Sequence, residues 1–243
     1  MSARKLNALD YNSLWSDGWN HTRLYGPMAR HCRRIFGLLS KDLCPKSILD
    51  VGCGEGSLLK SLMEKHRAAT GTGIELSKGA VLLAQNSIEG ANFHVCDISE
   101  SCLREKFDLV VSADVVEHIV NDEVAIQHMV NMLKPGGHLI IATLQGKMRK
   151  FEKKVGHVRN YNPGELQRKV EKAGVKVEQV ITWGWPFYSP IYRNLLNLLD
   201  NKGTMGKFGF LKKTACHFLY FIFLANSAKR GDYIFVRAVN NVD

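Results

Sequence analysis

The stretch ILDVGCGEG, residues 48–56, constrains the fold of this chain more than any other segment. A short apolar run typical of a buried strand leads directly into Gly52, Gly54 and Gly56, and a helical pattern begins at Ser57. Such a turn exposes backbone N–H groups and the positive end of the helix. In open α/β sheets ligands bind at this position. The segment therefore predicts an α/β fold with a ligand site where its strand ends.

The alternation of strand and helix patterns continues along the chain. Strand patterns cover Ser47–Val51, Gly71–Glu75, Ala91–Cys96, Phe107–Ser112, His138–Thr143, Lys176–Thr182 and Tyr233–Ala238. Helical patterns cover Ser57–His66, Lys78–Ser87, Asp122–Leu133 and Pro163–Ala173, the last with Asn162 as its cap. This order predicts a parallel sheet with helices on both faces. Without a repeat or linker, residues 1–243 are expected to form a single domain.

Composition narrows the class of protein. Six cysteines without a C-x-x-C pair favour free thiols and a cytoplasmic protein. The first residues lack the apolar region of a secretory signal, and no apolar run reaches the roughly 18 residues of a membrane span. The net charge of +10 is compatible with three kinds of partner: nucleic acid, an anionic membrane surface or an anionic substrate.

The glycine spacing argues against a dinucleotide site. The dinucleotide fingerprint is G-x-G-x-x-G or G-x-G-x-x-A, whereas here the last position of that pattern is Ser57. Glu75 ends the second predicted strand, nineteen residues after Gly56. An acid at that distance can accept hydrogen bonds from ribose hydroxyls, which indicates a nucleoside ligand without a pyrophosphate.

Five segments together resemble class I S-adenosylmethionine (SAM) methyltransferases: ILDVGCGEG, GTGIELS, CDIS, FDLVVSADVVEHI and LKPGGHLIIATL. The resemblance covers about residues 45–182. It implies a Rossmann-like, seven-stranded, mostly parallel sheet whose last strand, Tyr233–Ala238, is antiparallel and follows an insertion.

The resemblance also implies roles for single residues. Asp50 and the turn Gly52, Cys53 and Gly54 would approach the methionine part of SAM, and Glu75 with Leu76 beside it would hold the ribose. Asp97 would face the adenine amine and Ile98 would pack on the ring, while Ala113 would lie beside the sulfonium. An ordinary helix cap is the alternative interpretation of Asp97.

Within this class the chain is most similar to the ubiquinone-biosynthesis O-methyltransferase group. The segments that carry this similarity are DVVEHI, LKPGGHLIIATLQGK and GHVRNYNPGEL. In that group an arginine of the N-terminal helix contacts the SAM carboxylate. Arg30 is the predicted equivalent, with Arg33 and Arg34 as alternatives.

The D-x-x-E-H cluster can hold a metal or a base. If the segment is helical, Asp114, Glu117 and His118 share one face, and His157 could complete a divalent cation site for Mg, Mn or Zn. The pattern also resembles the metal site of small-RNA 3′-terminal 2′-O-methyltransferases, with Asp in place of the first Glu. Without metal, His118 or His157 could deprotonate a hydroxyl acceptor, with Glu117 beside them among the catalytic candidates, and His118 also packing under the cofactor.

Residues 183–230 form an insertion before the last strand, and residues 1–44 a predicted helical cap. Residues 208–225 are apolar with basic flanks, and in a helix Lys213, His217 and Tyr220 would share a face. Such a segment suits a cover for an apolar substrate, a peripheral contact on the inner face of a membrane, or plain core packing.

These observations favour methylation, most simply O-methylation, of a small apolar or lipid-like acceptor. The alternatives are an RNA-directed 2′-O-methyltransferase, a natural-product C- or N-methyltransferase, and a SAM-binding module without catalysis. The continuous apolar run at 215–225 argues against nucleic acid, because RNA-binding surfaces interleave exposed aromatic and basic residues.

Overall fold

The structure, a computed structural model, describes residues 20–198 and 206–241. Its strands are β1 Ser47–Val51, β2 Thr70–Glu75, β3 Ala91–Val95, β4 Phe107–Ala113, β5 Leu133–Leu144, β6 Lys176–Trp183 and β7 Tyr233–Val239. Its helices are α1 Asn20–Tyr25, α2 Pro27–Leu39, α3 Ser57–Lys65, α4 Lys78–Ser87, α5 Asp122–Asn131, α6 Lys150–Lys154, α7 Glu165–Lys172, α8 Arg193–Leu198 and α9 Phe210–Leu224. Of the cap predicted for residues 1–44, α1 and α2 are described, and residues 1–19 lie outside the described part.

The seven strands form one sheet in the order β3-β2-β1-β4-β5-β7-β6. Strands β1 to β5 pair in parallel, and β7 runs antiparallel between β5 and β6. The predicted fold class is thereby confirmed. Because β2 lies on one side of β1 and β4 on the other, the carboxyl end of β1 is a switch point of the topology, where a crevice opens.

Two apolar clusters cover the faces of the sheet. On one face Phe36 of α2, Leu59 of α3 and Phe223 of α9 are buried against the strands. On the other face Ile126 of α5 and Leu166 of α7 are buried in the same way. The helix patterns read from the sequence therefore place their apolar sides against the sheet, and both faces are shielded from water.

Some predicted boundaries were wrong by a few residues. The helix expected at Pro163–Ala173 begins at Glu165, because Glu165 reaches back and accepts hydrogen bonds from the Asn162 backbone N–H at 2.9 Å and its side-chain amide at 3.0 Å. Strand β5 begins at Leu133 rather than His138, since Leu133 pairs with Phe107 ahead of a bulge. In both places contacts beyond the local pattern decide where the element starts.

The insertion between β6 and β7 is described over residues 183–198 and 206–230. A π-helical turn, Tyr188–Tyr192, leads into α8, and α9 packs against α2. The predicted shared face of Lys213, His217 and Tyr220 lies toward α1 and α2, with the Tyr220 ring stacked on His31 at 4.4 Å between centroids. Within residues 20–198 and 206–241, no helix is both long and apolar enough to cross a membrane.

Candidate active site

The turn after β1 is built by glycines that adopt left-handed backbone angles. Gly52, Gly54 and Gly56 have φ values of 71°, 55° and 82°. The N–H groups of Gly52 and Cys53 both donate to the Ile74 carbonyl, at 2.8 and 3.1 Å, which ties the turn to the end of β2. A Cβ atom on Gly52 would lie 2.2 Å from Val115 Cγ2, so only glycine fits there.

Two carboxylates flank this turn. Asp50 is 1% exposed, and its Oδ2 has no hydrogen-bond partner among the described residues. Burial raises the pKa of Asp50 to about 7. Glu75 accepts from the Gly54 N–H at 3.1 Å and the Ser77 N–H at 2.9 Å. Burial raises the pKa of Glu75, and these hydrogen bonds partly offset the shift. The turn thus places backbone N–H groups beside Asp50 and Glu75, two acids whose oxygens can still accept hydrogen bonds from a ligand.

A small cavity of about 20 Å³ lies against the turn, and we call it the glycine cavity. Its lining includes the acids Asp50 and Glu55, the turn residues Gly52 and Cys53, and Ala113 at the end of β4. Two arginines, Arg23 and Arg33, complete it. Opposite charges therefore face each other across a space bordered by the predicted SAM residues.

The arginine prediction requires correction. Arg30 lies outside the glycine cavity: its guanidinium stacks 3.9 Å from the Tyr220 ring centroid and contacts His217 Nδ1 at 3.0 Å. Arg33, one of the two alternatives, lines the cavity and donates to the Arg23 carbonyl at 2.7 Å. The sequence interpretation missed Arg23 of α1, because only folding brings this residue to the end of β4.

Arg23 is held by Asp114. Its Nη1 donates to Asp114 Oδ2 at 3.1 Å, while the Tyr233 hydroxyl donates to Asp114 Oδ1. Burial works to lower the pKa of Arg23, but Asp114, Glu55, Tyr233 and Cys32 together outweigh it and the net shift is upward. Arg23 is therefore a permanent, partly buried cation whose main anionic partner is Asp114.

The structure places the remaining predicted cofactor residues around β2, β3 and their loops. Asp97 accepts from the Ser99 N–H at 2.9 Å and the Ser99 hydroxyl at 2.6 Å, as a turn-capping residue does. Ile98 is buried at 6% exposure within the apolar cluster that faces α5, and Leu76 is half exposed. Asp97 thus has a structural partner whether or not it also contacts a ligand.

The D-x-x-E-H segment is not an α-helix, so the predicted common face of Asp114, Glu117 and His118 is wrong. Asp114 has φ of 58°, and only a short 3-10 turn, Val116–His118, follows it. This break turns the Asp114 carboxylate toward Arg23 and Tyr233, and Asp114 is not among the three residues whose ligand atoms lie together. The predicted fourfold metal set therefore loses its first member.

Glu117, His118 and His157 come together. One ligand atom from each lies within 4.8 Å of the other two, and the two imidazole rings are 4.7 Å apart. Glu117 is fully buried, and its carboxyl group has the Thr143 hydroxyl as a side-chain hydrogen-bond partner, so it keeps capacity to accept further bonds. The Val158 N–H donates to the Glu117 carbonyl at 2.9 Å, which holds the His157 loop in place. The donor set of one carboxylate and two imidazoles suits a divalent transition metal.

Burial sets the protonation of this trio. It lowers the pKa of His118 to about 4, with His157 adding to the shift and a hydrogen bond to the Gly156 backbone opposing it. Burial also lowers the pKa of His157. It raises the pKa of Glu117 to about 8, and the nearby Asp114 carboxylate contributes. Both imidazoles are consequently neutral at pH 7, the form that accepts a proton or binds a metal.

A second cavity, of about 250 Å³, opens beside the two histidines, and we call it the histidine cavity. Its apolar and aromatic lining comes partly from the insertion; it includes Pro27, Met28, Leu144, Phe151, Val155, Tyr188, Tyr192 and Leu196. The polar groups are few, among them Asp114, His118, Glu152 and His157. Arg23 lines both this cavity and the glycine cavity, so the two spaces meet at its side chain.

Comparison with known sequences agrees with this geometry. The sequence model of a family described as "Methyltransferase domain" matches residues 21–180. A ubiquinone biosynthesis O-methyltransferase of Glaesserella parasuis is 33% identical over 115 residues, which are 43% of this chain and 48% of that protein. The chain spans about half the length of the curated relatives it matches.

Solved structures agree in fold. In a Haloferax volcanii complex between the Trm112 methyltransferase activator and a methyltransferase described as putative, one chain superposes with a TM-score of 0.67 at 15% identity, over 96% of this chain and 98% of that one. The N-methyltransferase NodS of Bradyrhizobium japonicum, in complex with S-adenosyl-L-homocysteine, gives a TM-score of 0.57 at 17% identity over 88% of both chains. Similarity at these identities concerns the fold alone.

Proposed function

Because this chain belongs to the family of SAM-dependent methyltransferase domains, we propose that it transfers the methyl group of SAM to a hydroxyl of a small, apolar acceptor. One observation carries the choice of acceptor. A largely apolar cavity with two neutral histidines adjoins the glycine cavity at Arg23. The ubiquinone biosynthesis O-methyltransferases among its relatives support oxygen as the atom methylated.

The residues around the glycine cavity match the charges of the amino-acid part of SAM. A free α-carboxylate and α-ammonium require a cation and an acid, and the cavity offers Arg23 and Arg33 opposite Asp50. The orphaned Oδ2 of Asp50 is a ready acceptor for an ammonium group, and Gly52 leaves the backbone open to close approach. Glu75 would accept from the ribose hydroxyls, and Leu76, half exposed beside it, would cover the nucleoside. Bound SAM supplies an electrophilic methyl group on a sulfonium.

His118 and His157 are the proposed general bases. A hydroxyl acceptor must lose its proton as the new bond forms, and a neutral imidazole within reach can take it. Both rings line the histidine cavity, so the hydroxyl of an acceptor bound there can reach the unprotonated nitrogen of either imidazole. The remaining contribution of the protein is alignment of acceptor and methyl donor, since an in-line displacement depends mainly on positioning.

Glu117, His118 and His157 also fit a divalent cation, because one carboxylate oxygen and two imidazole nitrogens lie within 4.8 Å of one another and the buried Glu117 keeps acceptor capacity. These three residues would hold the ion, and it would lower the pKa of an acceptor hydroxyl. Asp114 is omitted from this set because Arg23 and Tyr233 engage its carboxylate.

The insertion is the proposed selector of the acceptor. Tyr188, Tyr192 and Leu196 supply an aromatic and apolar wall of the histidine cavity, opposite Met28 of α2. Apolar walls with few convergent polar groups are typical of sites for small, greasy ligands. A phenol or a lipid-like alcohol could pack its apolar part against this lining and place its hydroxyl next to His118 and His157.

The test is to add the protein to a cell lysate with SAM labelled in its methyl group. Lipid, small-molecule and RNA fractions are then separated and counted. Label in an alkali-stable ether of a small apolar molecule is the expected result, and replacing both His118 and His157 by alanine should abolish it. Label that appears only in RNA ribose would replace this proposal with the 2′-O-methyltransferase alternative, which the possible metal trio favours. Label on nitrogen or carbon would point to the natural-product alternative.

A further inference from the structure

An open cavity of about 490 Å³ lies between α2, α3 and α9 and borders the glycine cavity at Arg33. Four cations line it: Arg30, Arg33 and Arg34 of α2, and Lys65 of α3. We call it the arginine cavity. Gly37, Leu38, Ser61 and Tyr220 form its remaining walls, and no carboxylate is among the described residues that line it. Such a concentration of positive charge predicts an anionic ligand.

The charge of the arginine cavity is not neutralised from within. Among residues 20–198 and 206–241, none of its four cations forms an ion pair. Arg33 is used structurally, because it donates to the carbonyls of Arg23 and Leu24. Arg34 donates its Nε–H to His31 Nδ1 at 3.3 Å. This contact uses one of the five N–H groups of the guanidinium. Arg34 and Lys65 can therefore still bind a phosphate.

An apolar ridge on α9 borders this cavity. The residues of the ridge are Phe210, Leu211, Phe218, Phe221 and Leu224, which are 83%, 82%, 67%, 65% and 46% exposed. They recur at helical spacing and so share the outward face of α9. The Tyr220 ring, which lines the arginine cavity, is 5.8 Å from the Phe221 ring. Cations and exposed apolar side chains therefore adjoin on one side of the molecule.

The lysines of α9 itself are directed back onto the protein. The Lys212 ammonium lies 3.8 Å from the Phe208 ring centroid, and the Lys213 ammonium 4.3 Å from that of Tyr25. Although they flank the apolar stretch, these two lysines therefore contact the protein itself. The cations best placed to meet an anion beside the ridge are those of the arginine cavity.

We propose that the arginine cavity binds the phosphate of an anionic phospholipid headgroup while the apolar ridge enters the boundary between headgroups and acyl chains. Arginine pairs with phosphate through parallel hydrogen bonds, which suits a headgroup site. An apolar helix face flanked by cations is the usual form of an interfacial helix. The proposal goes beyond methyl transfer and does not depend on which acceptor the enzyme uses.

The arrangement favours a membrane over a nucleic acid. Single-stranded nucleic acids are bound by aromatic rings interleaved with basic residues, so that bases stack while phosphates are neutralised. Here the exposed Phe218 and Phe221 lie together on the ridge, and the cations lie together in the cavity. Segregated apolar and cationic surfaces match the layered chemistry of a bilayer surface.

Vesicle co-sedimentation of the full chain tests this proposal at low salt. The probes are vesicles of phosphatidylcholine alone and of phosphatidylcholine with phosphatidylglycerol. Arg34→Glu with Lys65→Glu should weaken binding to the anionic vesicles by about tenfold or more, because it reverses two charges at the headgroup site. The matched control is Arg104→Glu with Lys106→Glu, two exposed cations just before β4 that give the same net charge. This control should bind as the unchanged protein does.

Three further arms decide the source of the anion. Phe218→Ser with Phe221→Ser should weaken vesicle binding about as much, while inorganic phosphate at millimolar concentration should compete only weakly. Melting temperature and SAM affinity should stay unchanged in all variants, since none of these side chains lines the glycine or histidine cavity. Equal losses in the cavity variant and its control, no binding to anionic vesicles, or tighter binding of single-stranded RNA lost in the same variant would each overturn the proposal.

Discussion

Burial governs the two histidines of the proposed active site, and it makes a prediction about pH. The pKa of His118 is lowered to about 4, so the neutral base persists as the pH falls from 8 to about 5. The value of kcat at saturating SAM should stay nearly level over that range, since the SAM ammonium then keeps Asp50 ionised, whereas a free imidazole would lose most of its base form below about pH 6.5. A pH–rate profile measures this directly. A break near pH 6.5 would contradict the buried environment of His118.

Variants identify which imidazole is the base. Replacement of the true base by alanine should lower kcat by about 10²–10⁴-fold, with SAM affinity unchanged. His94→Ala, an exposed histidine on β3, is the matched control and should keep full activity.

The same lowered pKa values make stability depend on pH. Between the lowered pKa values of His118 and His157 and the ordinary histidine pKa, the unfolded chain binds more protons than the folded one. The free energy of unfolding therefore falls as the pH falls through this range.

Removal of metal distinguishes the two roles of Glu117, His118 and His157. If they hold a cation, a chelator should abolish activity, and Mg²⁺, Mn²⁺ or Zn²⁺ should restore it. Glu117→Gln should then lower metal affinity, measured by calorimetry, because an amide binds such ions more weakly than a carboxylate does. Full activity after verified removal of metal would leave the neutral imidazoles as plain bases. Asp114→Asn should not change the metal affinity, because its carboxylate pairs with Arg23.

At the scale of secondary structure, one buried arginine ties the insertion to the rest of the fold. Arg193 of α8 is fully buried and forms ion pairs with Glu152 of α6 and with Asp232 ahead of β7. Arg193→Met leaves Glu152 buried without this cation, and loss of one partner of a buried pair costs about 3–5 kcal/mol. Chemical denaturation should show this loss in the free energy of unfolding.

The control for Arg193 is an exposed ion pair of the same kind. Lys172 of α7 pairs with Glu123 at 2.7 Å on the surface, and Lys172→Met should hardly change stability. The double variant Arg193→Met with Glu152→Gln should be more stable than the sum of the single losses, because neither charge is then left alone. If the losses in free energy of unfolding simply add, Arg193 and Glu152 do not stabilise each other.

The elements show how far the sequence could be interpreted. Strand β1 begins and ends as predicted because five consecutive buried residues leave no other register, and α4 likewise matches its pattern at both ends. The break at Asp114 could not be predicted, since its left-handed angle depends on Arg23 and Tyr233, which are distant in sequence. Local patterns determine elements, whereas the site depends on partners that only the fold brings together.

On the scale of the whole molecule, the three cavities adjoin one another in a fixed sequence. The glycine cavity opens at the switch point beside β1, the histidine cavity adjoins it through Arg23, and the insertion covers the histidine cavity. The arginine cavity meets the glycine cavity only at Arg33. A protein that docks through the arginine cavity can thus keep both proposed substrate sites free.

SAM binding should stabilise the whole fold, because a ligand that binds only the folded state shifts unfolding by mass action. At one hundred times its Kd, SAM should add about 2.7 kcal/mol, which corresponds to roughly 5–10 °C in Tm for a chain of this size. NAD should give no shift, since Ser57 stands where a dinucleotide turn needs Gly or Ala. Differential scanning fluorimetry measures both ligands on one sample.

Glu75→Ala separates cofactor binding from folding in the same experiment. The variant should melt lower without ligand, because the Gly54 and Ser77 N–H groups lose their acceptor. Its SAM-induced shift should also shrink, since the unpaired ribose hydroxyls cost about 1–3 kcal/mol of binding, or about 5- to 150-fold in Kd. Glu64→Ala, an exposed acid on α3, should keep both the Tm and the full shift. A full SAM shift in Glu75→Ala would show that the ribose is held elsewhere, and a large shift with NAD would remove SAM as the ligand of the glycine turn.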